Sequence, residues 1–222
     1  MRVYLSGVAP RRARADTRAV TSEGGELTAR SATWVDLTAV TETISLAFHD
    51  DPTWSWAFPD PVCRQEYYAV FWRVLVGGAL RYPWVLMTNT CEAAAVWIPP
   101  GGTEIAEEDE ARLGPLLEAL VGNRAGEVME LLARFDAAHP RDQPHYYLSL
   151  LGTHPSHAGR GIGMALLGEN LARIDREGMP AYLESSNPAN NHRYQRHDFE
   201  AIGEFFPPGS DIPVTTMWRD PR

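Results

Sequence analysis

The stretch HPSHAGRGIGMALLGENLARI, residues 154–174, decides the reading of the fold. Three glycines, Gly159, Gly161 and Gly163, alternate directly ahead of a segment with helical periodicity. Glycine reaches backbone dihedrals closed to other residues and lets a ligand approach the main chain closely. At a helix start the first amides lack intrahelical partners and the dipole is positive, so such a turn suits an anion such as a pyrophosphate. The same glycines also make a plain tight turn, and the stretch alone does not separate the two uses. HYYLSLLGTHP before it and PAYLES after it read as strands. Strand, glycine turn, helix and strand form a βαβ unit with parallel strands.

Working outward, ELTAR is a first strand, and Trp34, Leu37, Val40, Ile44 and Phe48 recur at helical spacing behind it. HDDPTWSWAFPDP is an aromatic-rich connection broken by prolines. Asp60 and Pro61 then supply an N-cap and first-turn pair for a helix through VCRQEYYAVFWRVLVGGAL. PWVLMT and AAAVWI, separated by NTCE, predict an antiparallel hairpin. The segment 103–140 is an acidic helical insertion whose run Glu107, Glu108, Asp109 and Glu110 reads as a solvated helix face. After the βαβ unit come a short helix in ANNHRYQRH and strands in FEAIGEFFP and VTTMWR. Residues 1–24 lack sustained periodicity and are expected to form an arm that need not pack; residues 25–222 form one domain.

The chain has 222 residues, 44% of them hydrophobic, enough to bury a substantial core as a single domain. Cys63 and Cys91 have no partner pattern, so neither a disulfide framework nor a metal site is expected. With no long apolar run and no signal-like h-region, a cytoplasmic protein independent of membranes is expected. The net charge is −9 and all 20 basic residues are arginine. Missing lysine excludes Schiff-base and Walker-type lysine chemistry, and the acidic balance argues against nucleic acid and for a cationic partner. A dinucleotide fingerprint fits poorly, because counting from Gly159 the third glycine falls one place early, at Gly163, with Met164 where it should be.

HPSHAGRGIGMALL resembles the acyl-CoA-binding motif of the Gcn5-related N-acetyltransferase (GNAT) family. The order of elements from Glu26 to Arg219 matches that family, with the acidic segment as an insertion before the fourth strand. AAAVWIPP, GMPAYLESSNPANNHRYQRHDF and the terminal MWR are similar to the branch of puromycin N-acetyltransferase and its actinobacterial relatives. The resemblance implies a mixed, mostly antiparallel α/β sheet flanked by helices, with its fourth and fifth strands parallel and splayed apart. It implies direct acetyl transfer from acetyl-CoA to a primary amine of a small molecule, an antibiotic or an amine metabolite, by a monomer or homodimer. A protein or peptide acceptor, or a non-catalytic acyl-CoA sensor, stays open. Two departures stand out: Ala158 replaces a usual Gln or Arg, and His197 and Asp198 replace a usual Leu and Gly, where Asp198 tolerates a left-handed backbone.

Carried onto this chain, the family pattern makes Leu151, Gly152 and Thr153 the strand that binds the pantetheine arm, with an amide near Leu151 facing the thioester oxygen. Gly159, Arg160, Gly161, Ile162, Gly163 and Met164 form the pyrophosphate turn. Asn190 contacts the cofactor arm or caps a helix, Tyr194 donates a proton to the departing thiolate, and Arg196 pairs with a phosphate or is solvated. Glu184 is the first candidate for general base and His145 a weaker one; His154 and His157 are expected to bond the loop. Asp50 and Asp51 attract a cationic amine and Trp54, Trp56 and Phe58 stack on it, or else those rings are a satellite core.

Overall fold

The structure is a computed structural model describing residues 18–22 and 25–222. Period-two alternation in YYLSLLGT folds as β5 (Tyr146–Thr153), next to β4 (Ala93–Ile98) on one side and β6 (Ala181–Ser185) on the other. β4 and β3 (Val85–Thr88) are the expected antiparallel hairpin, and β2 (Gly25–Ser31) lies beyond them. Past β6 stand β8 (Val214–Arg219) and then β7 (Glu200–Phe205). β5 and β6, the fourth and fifth strands counted from β2, are the parallel pair; among the described residues every other pairing of the sheet is antiparallel. A single parallel pair leaves no room for a dinucleotide-binding fold. The arm expected over residues 1–24 falls mostly outside the described residues. The part within them, β1 (Arg18–Ser22), pairs with β2 at the sheet edge, a pairing that runs through the main chain and needs no apolar pattern.

Helices cover both faces. On one, α6 (Ile162–Arg176) buries Ile162, Leu166, Leu167, Leu171 and Ile174 against Ala93, Ala95 and Leu148. On the other, α1 (Leu37–Ala47) and α3 (Arg64–Ala79) pack with Val85, Val96 and Leu150. The insertion is α4 (Glu107–Val121) and α5 (Ala125–Ala138), joined to the second cluster through Leu117, Val128 and Leu131. The acidic run occupies the first turn of α4, where negative charge complements the dipole. Among the described residues no helix is long and apolar enough to cross a membrane.

Two local readings change. The aromatic connection contains a helix, α2 (Pro52–Ala57), because Asp51 caps it by accepting from Thr53 N and Trp54 N, both at 3.1 Å, with Pro52 in its first turn. The similar pair Asp60–Pro61 instead closes a turn, Asp60 Oδ1 accepting from Val62 N at 2.9 Å, and α3 starts at Arg64. The buried Arg64 guanidinium holds that turn by donating to the carbonyls of Phe58, Pro59 and His49 at 2.7, 3.1 and 3.1 Å. Asp198 has φ 67°, the left-handed backbone expected of it.

Candidate active site

The site begins with a bulge. Pairing between β4 and β5 passes from Val96↔Leu150 to Trp97↔Leu148, so Ser149 is one residue too many. Such an insertion bends the strand and interrupts its ladder. Pairing with β6 ends at Leu148↔Leu183 although β5 runs on to Thr153. His154 N donates to Glu92 O at 2.8 Å, which sets the alternation of the antiparallel ladder. Leu150 and Gly152 therefore bond toward β4, and the main-chain groups of Leu151 and Thr153 face the gap left by β6. The expected splay is in place.

The glycines at the end of β5 have separate tasks. Gly159 and Gly161 take φ 76° and 74°, and Gly161 is the N-cap of α6. Gly163 permits contact: a Cβ there would lie 2.4 Å from Thr153 Oγ1. The first bond into the helix runs from Ala165 N to Gly161 O at 2.9 Å, so the amides of Ile162, Gly163 and Met164 have no intrahelical partner. Ala158 adds no donor, and Arg160 is turned onto His157 Nδ1 at 3.0 Å instead of lining the cavity.

These groups open into one cavity of about 1270 Å³ that reaches from the α6 turn past Leu151, Gly152 and Thr153 to Glu184, Asn190, Tyr194 and Arg196. α7 (Asn191–Gln195) presents Tyr194, whose hydroxyl burial pushes up to about 12, with the charge of Asp51 adding to the rise. Asn190 sits at the N-cap of α7 but makes no capping bond with its side chain. Glu184 shares a face of β6 with Tyr182, two residues before it. Its side chain is 2% exposed, its Oε1 has no hydrogen-bond partner, and burial pushes the carboxyl up to about 8 against the nearby Tyr182 and Tyr147 hydroxyls.

Where the cavity meets the start of α2 it is acidic and aromatic. Asp51 lines the cavity, accepts from Ser186 Oγ at 2.8 Å and is pushed by burial up to about 6. Asp50 is exposed at the rim. Trp54 lines the cavity and stacks on Phe135, ring centroids 5.8 Å apart. Trp56 and Phe58 do not reach it, and the satellite-core alternative accounts for both. Phe58 is fully buried between Tyr68 and Phe71, and Trp56 lies under the Arg124 guanidinium at 5.0 Å.

Three residues enter the site without being expected. Glu104, from the loop before α4, is half-buried in the cavity wall and bonded by Ser149 Oγ, and desolvation raises its carboxyl. His139, at the C-terminus of α5, has Nδ1 3.9 Å from Glu184 Oε1 and Nε2 3.0 Å from His145 Nε2. Ser149 is set by the bulge. The motif HP at 139–140 reads in sequence as the end of a helix, and a lone Glu in GGTEI carries no signal. His154 and His157 are in the loop as expected, His154 accepting from Ser156 N at 3.2 Å.

Comparison with known proteins agrees with this geometry. Residues 84–199, more than half of the chain, match the Acetyltransferase (GNAT) family. Among solved structures, a histone acetyltransferase HPA2-related acetyltransferase from Corynebacterium glutamicum is similar at 22% identity and TM-score 0.60, over 87% of this chain and 96% of that one. The Drosophila melanogaster polyamine N-acetyltransferase, described as forming N-acetylagmatine, has 14% identity and TM-score 0.60 over 86% and 98%. Arylalkylamine N-acetyltransferase 2 from Aedes aegypti has 13% identity and TM-score 0.59 over 87% and 98%. At these identities the structures speak for the fold alone. With a matching family profile across the βαβ unit and its splayed strands, the chain belongs to the GNAT acetyltransferase family.

Proposed function

We propose that the protein transfers an acetyl group from acetyl-CoA to a primary amine on a small cationic molecule. One observation carries the reading: the unpaired amides of β5, the free amides of α6, a partly buried phenol and a buried carboxyl open into the same cavity. The donor site fits the co-substrate. Ile162, Gly163 and Met164 offer amides to a pyrophosphate at the positive end of a 15-residue helix, and Gly163 keeps side-chain atoms out of the way. Leu151 and Thr153 offer main-chain groups to the pantetheine amides, and Arg196 and Asn190 stand along the wall. Acetyl-CoA supplies an activated acetyl thioester.

The remaining steps belong to the chain. The Leu151 amide faces the position of the carbonyl oxygen and stabilises negative charge developing there. Glu184 accepts a proton from the acceptor's nitrogen, which cannot attack while protonated. Tyr194, raised to about 12, stays protonated throughout the working pH range and gives its proton to the departing sulfur. A small cationic acceptor follows from the charges. Asp51, Glu104 and Glu184 line the cavity with no arginine bonded to them among the described residues, and burial disfavours all three charges until a cation arrives. Amine acetyltransferases among the structural neighbours agree with this class, and the motif resemblance keeps an aminonucleoside antibiotic among the acceptors to try.

Product mass after incubation with acetyl-CoA tests the reading, using polyamines, arylalkylamines, an aminonucleoside and N-terminally free peptides in parallel. Acetylated small cationic amines are expected. Acetylated peptides alone would replace the acceptor class, and acetyl-CoA binding with no product from any amine would favour the sensor.

A further inference from the structure

Acetylation of a primary ammonium releases one proton net. Of three protons on nitrogen, one stays in the amide and one leaves with the thiol. The third passes to Glu184, whose side chain is 2% exposed and so lacks a direct path to water. His139 lies between Glu184 and solvent: its Nδ1 is 3.9 Å from the unpartnered Oε1 and its side chain is 24% exposed. Its Nε2 is 3.0 Å from His145 Nε2, and His145 Nδ1 is 2.7 Å from the carbonyl oxygen of Gln143. A carbonyl only accepts, so His145 carries its proton on Nδ1. The 3.0 Å contact between the two Nε2 atoms holds one proton, and with His145 donating from Nδ1 its Nε2 accepts from His139 Nε2, which leaves His139 Nδ1 as a lone pair facing the carboxyl.

We propose that His139 is the exit for the acceptor's proton, taking it at Nδ1 from Glu184 Oε1, and that His145 is a positioning residue that holds His139 in the tautomer this requires. The proposal rests on the acetyltransferase reading of the site. As the Glu184 O–H bond breaks, the His139 Nδ1–H bond forms; the imidazolium then gives a proton to water and the neutral ring is restored. A gap of 3.9 Å is closed by a small rotation or by one water. Burial, His145 and Arg141 draw His139 down to about 4, opposed by Asp136, so the ring does not hold the proton it receives. Transfer from a carboxyl pushed up to about 8 is uphill, so the proton passes through the ring without being stored there.

The charged and titratable groups around the pathway are few. Tyr147 and Tyr182 place their rings 4.9 and 5.0 Å from His139, and Tyr182 and Trp218 lie 5.6 and 5.2 Å from His145. Burial raises both tyrosines, so neither ionises near neutrality. Asp136 and Arg141 act on His139, and Glu104 acts on Glu184.

Nitrogen-15 NMR of the histidine rings in the full chain reads the tautomers without any substrate. Nε2–H on His139 and Nδ1–H on His145 are expected; Nδ1–H on His139 overturns the proposal. In thiol-release assays His139→Gln is expected to lower kcat by about 10-fold to 10²-fold, to leave the KM for acetyl-CoA unchanged, and to recover with added imidazole. His145→Gln is expected to lower kcat less and to mix the His139 tautomers. Wild-type kcat and pH profile in His139→Gln would overturn the relay alone. Absence of thiol release from the wild type with every amine would overturn the acetyltransferase reading, and the relay with it.

Discussion

Replacing Glu184 with glutamine keeps the shape of the side chain and removes its ionisation. In the fold, burial raises this carboxyl from 4.5 to about 8. A group raised on folding contributes its full stability below the unfolded pKa and loses it as pH climbs through the folded value. From pH 6 the unfolded chain is already ionised at this position, while the native one holds its proton until it is half ionised near pH 8. Between pH 6 and pH 8 the loss, at 1.36 kcal/mol per unit, is about 2 kcal/mol. For a domain of this size that is about 4–8 °C in Tm. Asp51, raised to about 6, and His139, drawn from 6.5 to about 4, also contribute near the lower end of this window, but both are present in the two proteins, so the difference between wild type and Glu184→Gln isolates one group. Thermal melts of both proteins from pH 6 to pH 9 in the absence of acetyl-CoA are the assay. The variant should gain on the wild type as pH rises while losing transfer activity. Parallel Tm curves would refute the claim that Glu184 is a desolvated carboxyl raised by burial.

Three further substitutions follow from the geometry. Tyr194→Phe should lower turnover about 10²-fold or more with acetyl-CoA affinity nearly unchanged, read by thiol release and calorimetry; unchanged turnover would remove the phenol from the chemistry. Ala158→Arg should tighten CoA binding, most at low ionic strength, by restoring a donor at the turn where Arg160 is bound to His157. Arg219→Ala should destabilise the protein by about 3–5 kcal/mol in urea melts, because it leaves Asp175 without a partly buried partner that donates two bonds to it at 2.7 and 2.8 Å.

The order of elements is legible in the sequence because its signals are local. Alternation in YYLSLLGT, the glycines at 159, 161 and 163 and the helical spacing after them each act within a few residues. Tyr194 and Asn190 are reached through the resemblance to the family motif and Glu184 through its place at the end of a strand, and all three line the cavity. β1 escapes notice because its pairing runs through the main chain. α2 is hidden by its own aromatics, although Asp51–Pro52 is the same dipeptide read as a helix start at Asp60–Pro61. Trp56 and Phe58 mislead because composition says nothing about which side of a short helix meets the cavity. His139 is out of reach for another reason: its partners are His145, across the α5–β5 connection, and Glu184, on a neighbouring strand. Glu104 is likewise defined by Ser149, a residue whose orientation comes from the bulge.

Calorimetric titration of the full chain with acetyl-CoA, beside a parallel titration with NAD, addresses the central claim most directly. Saturable one-site binding of acetyl-CoA alone is predicted, its affinity falling as salt screens the pyrophosphate at the amides of Ile162, Gly163 and Met164. Absence of binding up to millimolar acetyl-CoA would contradict the account, since the splayed strand and the glycine turn would then serve no acyl donor.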